Sequence, residues 1–242
     1  MRLPPPPWIV GHRGAAGEAT ENTMASVALA VAQGADLVEV DVQLAADGVL
    51  VAFHDWDLAR LTDLERRVED SRWAEELSGV PLGAPGGQGR DRIATLVQVL
   101  AVLPETVPLV LELKRRRAEP EAILESLAAT LRSRAEVLFS SFDWELLAMV
   151  RTRWPAAAIA PLGAGSADSL IAAGQRLAAW SLHCPPEVAS ASLLESARRS
   201  GRTVMVYTVN DADQARALFE RGVAGVFTDF PGRLRSALAG PE

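Results

Sequence analysis

Short runs rich in aliphatic and β-branched residues recur along this chain at intervals that leave room for one helix between neighbours, and that spacing restricts the fold more than any other feature. The runs are Trp8–Gly11, Leu37–Val42, Val49–Phe53, Leu109–Leu113, Val137–Ser140, Ala157–Leu162, Leu177–Leu182, Thr203–Val209 and Gly225–Thr228, each of strand length. Helical patterns fill most gaps: Thr23–Gln33, Thr95–Leu103, Pro120–Arg132, Trp144–Arg153, Ala167–Ala173, Pro186–Ser200 and Ala212–Arg221. Three of these are followed by Gly34, Gly201 or Gly222, a common helix stop. Between Val42 and Val49 only Gln43 to Gly48 intervene, too few for the crossover that parallel strands need, and Asp47-Gly48 reads as a two-residue hairpin turn. Val49–Phe53 is therefore expected to return antiparallel. Removing it leaves eight strands, the count of a closed (β/α)8 TIM barrel with a β-hairpin extension after the second strand. An open doubly wound sheet is the other arrangement that the alternation allows.

The length of 242 residues suits one such barrel spanning 1–242. Residues 56–91 depart from the repeat: charge-rich helical sequence (Leu64–Leu77) precedes the glycine-rich run Gly79–Gly89, and the segment reads as an insertion over one barrel end, either a lid or a surface excursion. A net charge of −7 with no long basic stripe argues against a nucleic-acid or anionic-membrane surface, while leaving room for a small phosphate. The N-terminus lacks the apolar run of a secretory signal, and no later segment has the roughly 18 uninterrupted apolar residues of a membrane span. The expectation is a cytoplasmic protein without stable membrane association. Cys184 is the only cysteine, so neither an internal disulfide nor a zinc cluster is expected.

Active groups of such a barrel sit where strands run into the following loops. Here those ends carry Gly11-His12-Arg13-Gly14, Glu39-Val40-Asp41, His54-Asp55, Glu112-Leu113-Lys114 and Tyr207-Thr208-Val209-Asn210. The chain is rich in arginine, and Lys114 is its only lysine. Strand alternation puts Glu39 and Asp41 on one face, and likewise Glu112 and Lys114. Convergent buried carboxylates are costly unless a cation binds them, so Glu39, Asp41 and Glu112 form a candidate oxygen-ligand site for Mg²⁺ or Ca²⁺. With Asp47-Gly48 as the turn, His54 is expected opposite Asp41 across the hairpin. His12 and His54 then flank the cation as an acid/base pair, with Arg13 and Lys114 to hold an anion. That set suits phosphodiester hydrolysis. His183 reads as a loop residue. Thr20-Glu21-Asn22-Thr23 reads as cap chemistry in reach of the site, Asn210 as either cap or site polarity, and Tyr207 as either a substrate contact or a plug in the barrel mouth.

The set His12-Arg13-Gly14, Glu21-Asn22-Thr23, Glu39-Val40-Asp41, Asp47-Gly48, His54-Asp55 and Glu112-Leu113-Lys114 closely resembles the glycerophosphodiester phosphodiesterases, the short bacterial cytosolic members best. The likeness continues through Arg92–Leu96, Ser141-Phe142, Thr208-Val209-Asn210 and Gly225–Pro231. It implies a (β/α)8 barrel that hydrolyses glycerophosphodiesters such as glycerophosphocholine or glycerophosphoethanolamine to sn-glycerol 3-phosphate and an alcohol. It also implies that Glu39, Asp41 and Glu112 bind the metal, that His12 and His54 are the acid/base pair, and that Arg13 and Lys114 contact phosphate. Thr20, Leu61, Ala94 and Tyr207 depart from the family's usual residues, and Tyr207 and the insertion bear on the substrate pocket. Related alternatives are lysophospholipase D activity on single-chain lipids, a lyase releasing a cyclic phosphate, and a barrel that binds phosphodiesters without cleaving them.

Overall fold

Most of the strand runs are apolar at odd and even positions alike, the pattern of strands buried on both faces, and they assemble as parallel sheet covered by helices. The computed structural model describes residues 3–83, 89–132, 134 and 136–240. The chain begins β1 (Trp8–Gly11), α1 (Met24–Ala32), β2 (Leu37–Leu44) and β3 (Leu50–Ala52). A π-helical turn (Trp73–Leu77) and three short strands follow, β4 (Pro81–Leu82), β5 (Asp91–Arg92) and β6 (Ala94–Thr95). The repeat then resumes with α2 (Leu96–Val102), β7 (Leu109–Leu113), α3 (Pro120–Leu131), β8 (Val137–Ser141), α4 (Trp144–Arg153), β9 (Ala158–Pro161) and α5 (Ala167–Arg176). It ends with β10 (Ser181–Cys184), α6 (Ala191–Arg199), β11 (Thr203–Val206), α7 (Ala212–Glu220), β12 (Gly225–Thr228) and α8 (Pro231–Ala239).

Eight parallel strands run in the order β10-β11-β12-β1-β2-β7-β8-β9. The two ends meet at a single bridge, Leu162 to His183, beside a hydrogen bond from the Trp180 N–H to the Ile159 carbonyl at 2.9 Å. The result is a nearly closed (β/α)8 TIM barrel. One parity of each strand faces inward: Trp8, Val10, Leu37, Val110, Leu138, Ala160, Met205 and Phe227 fill the barrel. The other parity packs under the helices, with Val38, Val40, Leu109, Leu111, Phe139 and Ile159 in the larger outer layer. Among the described residues no helix is long and apolar enough to cross a membrane.

The hairpin pairs one residue out of the expected register. Leu44 faces Leu50 and Val42 faces Ala52, so Asp41 meets Phe53 rather than His54. The turn holds three residues, Ala46, Asp47 and Gly48, because Gly48 takes a left-handed backbone (φ 81°) that ends a type I turn. The expected strand Leu177–Leu182 also shifts, to Ser181–Cys184. Leu177 and Ala179 are buried under the end of α5, and a short apolar run reads alike in strand and buried helix end.

Among the described residues of the insertion, only Trp73–Leu77 is helical; the longer helix expected over Leu64–Leu77 does not form, and residues 84–88 of the glycine-rich run lie outside the described residues. Leu58, Val68, Leu77, Leu82 and Ile93 pack on Val51 and Phe53 of the hairpin arm, giving the insertion a small core of its own. Leu77→Ala is expected to cost about 2–5 kcal/mol, in a single urea transition because this core shares hairpin residues with the barrel. Gly48→Ala meets nothing nearer than Ser126 Oγ at 4.0 Å. It is expected to cost only the backbone strain of about 1 kcal/mol.

Candidate active site

The centre of the barrel mouth is acidic. Glu39 and Asp41 share the inward face of β2, and register places Glu112 of β7 beside Asp41. One oxygen from each of the three lies within 4.8 Å of the others. Glu39 and Asp41 are buried, and Glu112 nearly so. Two carboxylates at such a separation repel by about 3–4 kcal/mol at an effective dielectric near 20. Burial, then the charges of Asp41 and Glu112, push Glu39 well above the usual carboxylate range, and burial with Asp41 pushes Glu112 up to about 7. Asp41 goes the other way: burial would raise it, but Lys114, Arg13 and His54 together hold it down. These buried, mutually repelling oxygens fit a hard divalent cation, whose binding would favour the ionised form of all three.

The first strand-to-helix loop is wrapped around this cluster. The backbone N–H of Arg13 donates to Glu39 Oε2 at 2.7 Å, and Arg13 Nε lies 3.3 Å from Asp41 Oδ2. Asn22 Nδ2 donates to Asp41 Oδ2 at 2.9 Å, while its Oδ1 accepts the Asp41 N–H at 3.0 Å. Arg13 and Asn22 both hold left-handed backbones, at φ 52° and 58°, conformations that cost energy and concentrate at functional sites. Gly14 follows at φ 84°, with its backbone so close to α1 that a Cβ would stand 2.4 Å from Ser26 Oγ. Of the expected cap residues, Thr23 does cap α1, accepting from the Ser26 N–H. Glu21 and Asn22 instead turn toward Arg13 and Asp41.

The imidazoles of His12 and His54 each meet a carboxylate through Nδ1. His12 Nδ1 lies 2.7 Å from Asp229 Oδ1, and His54 Nδ1 lies 2.6 Å from Asp55 Oδ1. That contact keeps a proton on Nδ1 and leaves Nε2 as the nitrogen that can exchange one. Asp229 is itself fixed: Asn210 Nδ2 donates to its Oδ2 at 2.7 Å, and its own N–H donates to Asn210 Oδ1 at 2.8 Å. Asn210 thus holds Asp229 beside His12, while Asp211 caps α7. His54 comes from the residue after the hairpin ladder, and burial lowers its basicity, with Lys114 and Arg13 adding to the effect and Asp41 and Asp55 opposing it. Lys114 Nζ sits 3.3 Å from Glu112 Oε1 and 3.5 Å from Asp41 Oδ1, below the ring of Trp56 at 5.5 Å.

A cavity of about 170 Å³ is lined by His12, Arg13, Glu39, His54, Glu112, Ser140, Phe142, Leu162, His183, Tyr207, Thr208 and Phe227. Tyr207 stands edge-on to Phe142 and to Phe227, both at 6.3 Å, so it packs in the mouth and lines the cavity at once. His183 is not a loop residue: it lies in β10, fully buried, and its ring meets Phe227 at 5.0 Å. Burial pushes its imidazole down to about 3, so it is neutral. Asp55, Asp229 and Asn22 carry positioning contacts that spacing alone did not assign. Their signal was adjacency to strand ends, yet a carboxylate or amide beside a loop is equally a cap.

The family model for the glycerophosphoryl diester phosphodiesterase family matches residues 12–233. A glycerophosphodiester phosphodiesterase of Caldanaerobacter subterraneus is 30% identical over 92% of this chain and 94% of its own length. An Oleispira antarctica phosphodiesterase, solved in complex with its product sn-glycerol-3-phosphate, superposes with a TM-score of 0.90 at 30% identity, covering 97% of this chain and 98% of that one. A mouse lysophospholipase D is 39% identical over a shorter stretch, 46% of this chain and 36% of its own length.

Because Glu112 is held above its unfolded value, its protonated form favours the folded state, and that contribution is lost as pH rises through about 7. Glu112→Gln is therefore expected to flatten the fall in Tm of the metal-free protein between about pH 5 and pH 8 relative to the parent. At pH 8 Mg²⁺ or Ca²⁺ is expected to raise the Tm of the parent but not that of this variant. Thermal unfolding across pH, with and without each cation, checks both.

Proposed function

Since the chain belongs to the glycerophosphoryl diester phosphodiesterase family, we propose that it hydrolyses glycerophosphodiesters such as glycerophosphocholine and glycerophosphoethanolamine to sn-glycerol 3-phosphate and an alcohol. The observation that carries this reading is the joint lining of one small cavity by two carboxylate-backed imidazoles, Arg13, Glu39 and Glu112, with Asp41 completing the acidic cluster beneath. Glu39, Asp41 and Glu112 would hold a divalent cation, Mg²⁺ or Ca²⁺, which supplies positive charge to the phosphoryl oxygens.

The chain's own groups account for the remaining steps. Arg13 and Lys114 retain their protons, since Asp41 and other carboxylates beside them outweigh the effect of burial. They offer fixed positive charge to a phosphodiester and to the extra charge of its transition state. One imidazole takes a proton through Nε2 from the attacking hydroxyl, and the other gives one to the departing alkoxide oxygen. Asp229 and Asp55 hold the rings at the angle and in the tautomer that this exchange needs, and stabilise each imidazolium as it forms. Tyr207 and Phe142 form an apolar edge of the cavity suited to the carbon skeleton of the substrate.

The purified protein with Mg²⁺ or Ca²⁺ is expected to release sn-glycerol 3-phosphate from glycerophosphocholine, and to stop on chelation. His12→Ala and His54→Ala are each expected to lower kcat by about 10²–10⁴-fold while keeping the cation-induced rise in Tm. Retained turnover in both variants would overturn the acid/base assignment. Asp229→Asn is expected to lower kcat about 10–100-fold with a smaller change in KM. A parallel assay on lysophosphatidylcholine, scored by choline release, tests the single-chain lipid alternative.

A further inference from the structure

We propose that Arg60, in the inserted segment, is a positioning residue that fixes the imidazole of His54 and the guanidinium of Arg13 together, acting through Asp55 and Glu21. The inference rests on the functional reading above and extends the site to a residue outside the cavity. Arg60 Nη1 and Nη2 donate to Glu21 Oε2 and Oε1 at 2.8 and 2.6 Å, while Arg60 Nε donates to Asp55 Oδ2. Glu21 Oε1 also accepts from Arg13 Nη1 at 2.8 Å, and the other oxygen of Asp55 meets His54 Nδ1. The contacts form one chain: Arg13, Glu21, Arg60, Asp55, His54.

Each link removes a rotation. A carboxylate held on one oxygen can swing, whereas Asp55 is held on both, by His54 and by Arg60. Glu21 is gripped by the two terminal nitrogens of Arg60, a planar fork that matches a carboxylate. Lysine, a single point charge, cannot face both carboxylates in this way. Both acids sit below their usual range despite the opposing effect of burial, with hydrogen bonds from Arg60 the leading cause. The base of the fork is itself anchored, because Leu58 is buried in the insertion core and Leu61 packs on it, with the Gly83 N–H donating to the Leu61 carbonyl at 3.0 Å. Arg60 is 46% exposed, so solvent screens its ion pairs, although a two-pronged grip within a charged network is the arrangement in which such pairs do contribute some stability.

The test compares the cation-saturated parent with Arg60→Ala and Arg60→Lys. Arg60→Ala is expected to lower kcat about 10–100-fold with Tm nearly unchanged and the cation-induced rise in Tm retained. Arg60→Lys is expected to fall between the two in kcat. With only three histidines in the chain, the ¹⁵N imidazole spectrum isolates His54, and its Nδ1 signal is expected to shift in Arg60→Ala as the Asp55 contact loosens. In a double-mutant cycle, Arg60→Ala and Asp55→Asn are expected to be less than additive in kcat. A kcat within twofold of the parent, an unmoved His54 signal, or full additivity would each overturn the proposal. A parent that releases no sn-glycerol 3-phosphate would instead fail the functional reading, and the His54 spectrum would still decide the positioning role.

Discussion

Glu39, Asp41 and Glu112 bring carboxylate oxygens within 4.8 Å of one another inside a barrel mouth, where water screens them poorly. Left alone, such a cluster would push the strands apart or hold protons. Much of the surrounding architecture answers that strain. Arg13 and Lys114 place cations against it, Asn22 grips Asp41 from two sides, and the backbone of Arg13 donates directly to Glu39. Even so, Glu39 and Glu112 remain above the usual carboxylate range. The site is therefore built with an unmet demand for positive charge, which a divalent cation and a neighbouring phosphate can satisfy together.

Around that centre, parts distant in sequence act as supports. The first loop accepts left-handed backbones at Arg13 and Asn22 so that its N–H and amide groups point at the carboxylates. The last loop lends Asp229 to His12 across 217 residues of chain. The hairpin and insertion share one small apolar core, which makes Phe53, and so the start of the His54 loop, part of a packed unit. The positions of the two imidazoles are set here by tying short loops to rigid strands and to each other.

Legibility in the sequence followed the physical source of each signal. Apolar runs of strand length and helical period gave the eight-strand alternation, and strand parity gave the shared face of Glu39 and Asp41, because both follow from local backbone geometry. Register did not. Asp47-Gly48 reads as a two-residue turn, whereas Gly48 closes a three-residue one, and that single residue moves every partner along the arm. The strand holding His183 was displaced for a related reason, since Leu177 and Ala179 owe their apolarity to packing at a helix end. The helix expected across Leu64–Leu77 shrank to Trp73–Leu77, where the small core rather than propensity decides the conformation.

The chain by itself determined the order of elements, the placing of rare chemical groups at strand ends, and the parity that turns acids inward, for these depend on neighbours a few residues apart. Tertiary structure alone decided which carboxylate meets which imidazole, that Glu21 and Asn22 turn to Arg13 and Asp41 while Thr23 caps the helix, and that Arg60 bridges Glu21 to Asp55. Aspartate, glutamate and asparagine look the same in sequence whether they cap a helix or hold a catalytic ring. Only the tertiary fold separates the two: pairing of the first and last strands brings residue 12 to residue 229, and packing of the insertion beside the first loop brings residue 21 to residue 60.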